Sequence, residues 1–290
     1  MIKISINRWA FKSDWSAETC IRMAKKHGFD GIELNLEEEG DFCLDTKEAE
    51  LQRIRTLAKR EGLELSSVCS LLFWKYPITS SDARVRDKGI EVIRKMIDAA
   101  AVLRVGTILV VPGMVHADPP LDFGNPPIPY ATAYERALSI VRELADYARP
   151  KAVAIGLENV YYNKFLITQM EYRRFLDDVD RDNVKLYFDV GNTMLCGFPE
   201  DWIRYLPEYI CCIHVKDFDK NVNTLYGWRN IFQGDIDWEQ VTGALRTVGY
   251  DGYLVGEPSL SPYTFQQEEL IKTTSSALHR VREMITGSGS

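Results

Sequence analysis

Gly28-Phe29-Asp30-Gly31-Ile32-Glu33 carries an amphipathic segment through a turn and into a strand, and Gly249-Tyr250-Asp251-Gly252-Tyr253-Leu254 repeats that chemistry near the far end of the chain. In both, a glycine stands where a helix stops and a left-handed residue is wanted, and a run of strand character begins just beyond it. Gly62 and Gly106 hold the same place before two further strands. Outward from these turns the alternation covers the chain. Strands are expected at residues 3–7, 31–34, 63–69, 107–111, 154–157, 184–188, 210–215 and 252–256. Apolar residues at helical spacing follow each one, at 16–27, 46–61, 82–103, 130–148, 168–178, 200–206, 237–248 and 266–285. Eight such units describe an α/β chain folded as a (β/α)8 TIM barrel, since a closed ring has no edge strands and an open doubly wound sheet would have two. A single domain is expected over residues 1–286, with Gly287-Ser288-Gly289-Ser290 as a flexible linker.

The 290 residues are 46% hydrophobic and 27% charged, which is ordinary globular composition and excludes a disordered or collagen-like chain. With 35 basic and 42 acidic residues the net charge is −7, which disfavours nucleic acid as a partner. No stretch approaches the roughly 18 apolar residues of a membrane span, and Met1-Ile2-Lys3-Ile4-Ser5-Ile6-Asn7-Arg8 has no signal-peptide core, so a cytoplasmic protein without a membrane partner is expected. Cys20, Cys43, Cys69, Cys196, Cys211 and Cys212 form no C-x-x-C pair and read as reduced thiols packed in the core. Two loops are long. Residues 117–129 carry five of the 12 prolines and read as an ordered loop after the fourth strand, because the strand-helix rhythm resumes at once. Residues 217–234, with Tyr226, Trp228 and Arg229, are a candidate lid after the seventh strand.

In a barrel of this kind chemistry gathers where strands end and the following loops begin. Glu158 ends the fifth strand, Asp189 the sixth and Glu257 the eighth, while His214 lies near the end of the seventh. Singly, an acidic residue at such a place is ordinarily a helix cap. Four consecutive strands presenting these types at one rim are another matter, because three crowded carboxylates disfavour ionisation unless a cation compensates them. Three oxygen donors and one imidazole suit one divalent metal with positions left open. Mn²⁺ is the first choice, with Mg²⁺, Co²⁺ and Zn²⁺ as alternatives.

From about Phe29 to Glu257 the chain resembles the xylose isomerase-like barrels, and within them the sugar phosphate isomerase and epimerase group. The nearest pattern is that of L-ribulose-5-phosphate and L-xylulose-5-phosphate 3-epimerases. Asp189-Val190-Gly191-Asn192, His214-Val215-Lys216-Asp217 and the glutamate of the eighth strand carry the likeness most specifically. Gly28-Phe29-Asp30-Gly31-Ile32-Glu33 is a weaker opening signature. The resemblance implies that Glu158, Asp189, His214 and Glu257 hold one metal, that Glu158 and Glu257 are also the acid/base pair, and that Asn192 and Lys216 contact substrate.

The chemistry behind that assignment stands on its own. Taking a proton from the carbon beside a ketose carbonyl gives an enediolate, and a metal on the carbonyl and adjacent hydroxyl stabilises its charge. Epimerisation needs one carboxyl to remove the proton from one face and another to return one to the opposite face. Aldose-ketose isomerisation uses the same enediolate, so the four residues leave both reactions open. A metal-dependent β-elimination, as in dehydration of an inosose or cleavage of a 3-keto glycoside, is the main alternative. A retaining glycosidase using two rim glutamates, a histidine-rich metallonuclease and a non-catalytic sugar-binding barrel are weaker ones.

The expected partner is a small-molecule sugar or sugar phosphate, bound by a homo-oligomer. Leu71-Leu72-Phe73-Trp74-Lys75-Tyr76-Pro77 is less basic than the corresponding loop of phosphopentose epimerases, and Phe232-Gln233-Gly234 stands where their Gly-x-Gly would be. A free sugar stacking on Trp74 or Trp228 is therefore a second possibility, with Lys75, Lys216, Lys220 and Arg229 as candidate anion contacts. Glu33 and His116, at or just past the ends of the second and fourth strands, are further candidates for the substrate site.

Overall fold

The computed structural model describes residues 1–222, 224–258 and 266–287. Strands β1 (Lys3–Asn7), β2 (Gly31–Asn35), β3 (Glu64–Cys69), β4 (Thr107–Val110), β5 (Ala154–Glu158), β6 (Val184–Asp189) and β7 (Ile210–Val215) follow one another around a ring. A two-stranded hairpin, β8 (Asp217–Phe218) with β9 (Trp228–Arg229), interrupts the order, and β10 (Tyr253–Gly256) closes the barrel against β7 and β1. All eight barrel pairings are parallel. The eight-unit barrel expected from the sequence is the fold observed.

The connections are α1 (Ala17–Lys26), α2 (Glu48–Glu61), the single turn α3 (Leu72–Lys75), α4 (Ala83–Leu103), α5 (Tyr130–Ala148), α6 (Gln169–Val179), α7 (Pro199–Tyr205), α8 (Trp238–Val248) and α9 (Gln267–Thr286). Ser16, Asp82, Thr168 and Asp237 start four of them by accepting a backbone N–H in the first turn, which satisfies donors the helix itself leaves open. Gly62 and Gly249 end α2 and α8 with positive φ, and Gly28 turns the chain into β2 the same way. Gly106 differs from expectation: Arg104 takes the left-handed position at the end of α4, and Gly106 is not among the positive-φ glycines. Of the terminal Gly-Ser stretch, residues 288–290 lie outside the described residues.

Strand side chains alternate between the helix layer and the bore. Ile4, Ile6, Ile32, Leu34, Val68 and Phe188 belong to the buried apolar core, Phe188 stacking on Trp202 of α7 at 5.9 Å. The opposite faces of β1 to β3 are polar. Ser5 meets Ser66 at 2.7 Å, Asn7 donates to Glu33, and Cys69 donates to Asn35 at 2.7 Å. The bore is thus filled on one side by hydrogen-bonded groups, which are costly to bury unless each finds a partner.

The two long loops are built in. Loop 117–129 is tied by Ile128 N to Val115 O at 3.1 Å and by Asn125 Nδ2 to the Trp74 carbonyl at 3.2 Å. After β7, Asp217 accepts from Phe218 N, Ile236 N and Trp238 Nε1, pinning the hairpin to the start of α8. Among the described residues no helix is long and apolar enough to cross a membrane, and all six cysteines are free thiols.

Gly89, inside α4, faces the Tyr76 carbonyl and Ile78 of the segment after α3, and a Cβ there would lie well inside van der Waals contact with that oxygen. Gly89→Ala would gain about 1 kcal/mol of helix propensity in isolation. The overlap with backbone outweighs it, so a net loss of about 1–3 kcal/mol is expected, read as a lower Tm in thermal unfolding.

Candidate metal centre

The end of each strand in the second half of the ring places one charged side chain in the bore. Asp189 pairs in register with His214, and Val255 pairs with His214 from the other side, so Glu257, two residues on, points the same way. Glu158 comes from β5 opposite Tyr187. One donor atom from each of Glu158, Asp189, His214 and Glu257 lies within 4.8 Å of every other. His214 Nδ1 is 3.2 Å from Glu158 Oε1, 3.6 Å from Glu257 Oε2 and 3.8 Å from Asp189 Oδ2. Three of the four are buried, and Glu257 is partly open.

His214 is held from behind. Its Nε2 is 2.8 Å from Glu33 Oε2, and Glu33 also accepts from Ser67 Oγ at 2.6 Å, Tyr187 OH at 2.5 Å and Asn7 Nδ2. Burial alone would raise the Glu33 carboxyl. The His214 imidazolium beside it, with the hydrogen bonds from His214, Ser67 and Tyr187, instead holds it down at about 2. Burial likewise works against charge on His214, but Glu33 and then Glu257 push its basicity well above the ordinary histidine value. Burial raises Glu158, with the Asp189 charge adding to it, and burial also raises Asp189, with Glu257 adding to that.

These observations test whether a cation fits. As an imidazolium, His214 gives Nε2–H to the ionised Glu33 and turns Nδ1–H toward three carboxylate oxygens, so a proton holds the place where a cation bound in exchange for it would meet one nitrogen and three oxygens. Among the described residues, the four carboxylates, Glu33 included, have His214 and Lys216 as their positive partners. Three oxygens and one imidazole nitrogen form a set that suits a hard or borderline divalent ion. Glu158, Asp189, His214 and Glu257 would hold it.

Lys216 leans on the same oxygens. Its Nζ is 2.6 Å from Asp189 Oδ2 and 2.5 Å from Glu257 Oε2, and it sits 4.5 Å from the Trp228 ring centre. Burial disfavours the ammonium, but Asp189 and Glu257 more than restore it. The glycine of Asp189-Val190-Gly191-Asn192 makes room for this side chain, since a Cβ on Gly191 would come within 2.6 Å of Lys216 Cγ. Asn192 donates its backbone N–H to Asp189 Oδ1 at 2.8 Å and its Nδ2 to the Asn159 carbonyl at 3.0 Å. Its buried Oδ1 has no partner among the described residues.

The other residues singled out from sequence are placed differently. Glu33 reaches the centre from the far side of His214 and is fully buried, with its carboxylate on the imidazole. Trp74 is 3% exposed, donates to Asn163 at 2.9 Å and has one face stacked on Tyr162 at 5.9 Å. Trp228 packs edge-on to the same Tyr162 and lies over Lys216. Arg229 donates to Asp219 Oδ2 at 2.9 Å and to the Tyr226 and Trp228 carbonyls, so its guanidinium is committed to the hairpin. His116 lies in the loop after β4, with a buried Nδ1 that has no partner and no hydrogen bond or ion pair to the quartet among the described residues. Tyr162, whose phenol is pushed up first by burial and then by the charges of Glu158, Glu257 and Asp189, was not singled out from sequence.

The family model of the xylose isomerase-like TIM barrel matches residues 21–280, and the chain belongs to that family. A D-psicose 3-epimerase of Agrobacterium fabrum is 27% identical over 256 residues, 86% of this chain and 82% of the relative. An L-ribulose-5-phosphate 3-epimerase of Escherichia coli is 26% identical over 246 residues, 81% of this chain and 80% of the relative. Among solved structures, a D-psicose 3-epimerase crystallised in the presence of D-fructose superposes with a TM-score of 0.79 at 24% identity, covering 98% of this chain and 99% of that one, which is agreement in fold.

Glu33→Gln removes the charge behind His214 while keeping shape. Divalent-ion affinity is expected to fall about 10- to 100-fold, measured by calorimetric titration of the metal-stripped protein, with the circular dichroism spectrum unchanged.

Proposed function

We propose that the chain is a divalent-metal-dependent ketose 3-epimerase, using Mn²⁺ by preference. The observation that carries this reading is the convergence of Glu158 and Glu257 from β5 and from the end of β10, with Asp189 and His214 between them. A divalent ion held there would supply positive charge beside the reacting carbons of a ketose and so make the C3–H bond more acidic. The carboxyls then do the proton work. One glutamate takes the proton from one face of C3, and the other, protonated, gives a proton to the opposite face. Burial raises Glu158 above the ordinary carboxylate value. After turnover one carboxyl has gained what the other gave, and exchange with solvent resets the pair.

Asn192 and Lys216 orient the sugar. The unpartnered Asn192 Oδ1 is an acceptor for a hydroxyl, and the Lys216 ammonium between Asp189 and Glu257 is a donor to an oxygen beside the reacting carbon. The relatives named for D-psicose and L-ribulose 5-phosphate support a ketose substrate and leave its phosphorylation open. Cytoplasmic location and a homo-oligomeric state belong to the same reading, and light scattering on the purified protein checks the latter.

In D₂O, the Mn²⁺-loaded protein is expected to place deuterium at C3 of a ketose or phosphoketose, and chelation to abolish this until Mn²⁺ is returned. Glu158→Gln and Glu257→Gln should each lower kcat by about 10²- to 10⁴-fold. Label in none of the sugars tested overturns the reading. Release of a substituent would mark elimination, and turnover indifferent to chelation would favour a glycosidase.

A further inference from the structure

A cavity of about 940 Å³ opens at the C-terminal ends of β1, β2 and β3, on the same end of the barrel as the quartet. Ile6 of β1 pairs with Gly256 of β10, so the chain leaves β1 toward this cavity level with Glu257. A line of polar contacts joins the two places. It runs from His214 through Glu33, Asn7 and Cys69 to Asn35 on the cavity wall.

Asn35 is 3% exposed and its Nδ2 has no hydrogen-bond partner among the described residues. Trp9 lines the same cavity with a buried Nε1–H that is also unpartnered among them. Buried donors without acceptors are rare and mark places where something else supplies the oxygen. Opposite in character is Glu37, exposed on the wall, whose carboxylate makes no hydrogen bond among the described residues. The wall therefore offers two donors and an acceptor at once.

The charges select between ligands. Asp14, Glu37, Glu39 and Asp41 outnumber Arg8 and Lys12 on the lining. Arg8 is already committed, donating to the carbonyls of Lys12, Ser13 and Trp15. A phosphate dianion only accepts hydrogen bonds and would meet an excess of carboxylates, whereas a hydroxyl accepts from Asn35 and Trp9 and donates to Glu37. We infer that this cavity binds the hydroxyl-bearing end of an uncharged sugar, so that the substrate is a free ketose and not its phosphate ester. The inference rests on the epimerase reading for which carbon lies at the quartet, but the cavity's preference can be measured apart from it.

Glucitol has no carbonyl and cannot be enolised, which makes D-glucitol and D-glucitol 6-phosphate suitable probes. Ligand-observed NMR titration of the Mg²⁺-loaded protein should find glucitol bound and its phosphate about tenfold weaker or worse. Asn35→Ala and Glu37→Gln should each weaken glucitol about three- to tenfold, with Glu37→Gln, at an exposed position, guarding against loss of folding in the first. No binding of glucitol, equal or tighter binding of the phosphate, or indifference to both substitutions overturns the inference. Glucitol binding as expected, with deuterium exchange in no ketose, would instead overturn the epimerase reading and leave the polyol site standing. Exchange that is as fast with phosphorylated as with free ketoses would do the reverse.

Discussion

The imidazole of His214 is the hinge on which the site's electrostatics turn. One nitrogen faces Glu33 and the other faces Glu158, Asp189 and Glu257, so a single ring separates one carboxylate from three. Four acids in so small a volume could not all remain ionised on their own. The surrounding architecture answers this demand from two sides. Asn7, Ser67 and Tyr187 give hydrogen bonds to Glu33 from the rear, and Lys216 gives its ammonium to Asp189 and Glu257 at the mouth.

That demand explains details of the fold that otherwise look incidental. Gly191 has no side chain because the Lys216 stem passes where one would be. Gly156 faces Tyr187 and Cys211 at 3.0 Å from where a Cβ would stand, which leaves the bore open for the tyrosine that reaches Glu33. Asp217, beside Lys216 in sequence, is taken up wholly by the hairpin and the start of α8. The apolar helix layer and the polar bore are two products of the same alternation along each strand.

Much of this was legible in the sequence, and the limits have physical causes. The strand-helix count and the end-of-strand positions of Glu158, Asp189 and Glu257 follow from local periodicity, which survives in any single chain. Glu33 was visible as a polar strand end, but its position behind His214 depends on the ring closing so that β2 faces β7 across the bore, and no local pattern carries that. The signal that was present is the alternation Ser5-x-Asn7, Glu33-x-Asn35 and Ser67-x-Cys69, polar residues two apart on three neighbouring strands. Gly106 failed as a helix cap because a glycine near a helix end need not be its last residue, and Arg104 adopts the left-handed conformation in its place. Arg229 and Trp74 read as free side chains because sequence does not show that Asp219 and Tyr162 lie within reach of them.

The crowding of acids around His214 also bears on how long the folded molecule lasts. An ion that binds the assembled ring and has no comparable site on the unfolded chain adds its binding free energy to the folded side of the balance. For a barrel that holds the ion proposed here, losing it would remove part of the margin against unfolding and against the proteases that act on opened chains. Abundance of such a protein in a cell would then follow metal supply even with synthesis held constant.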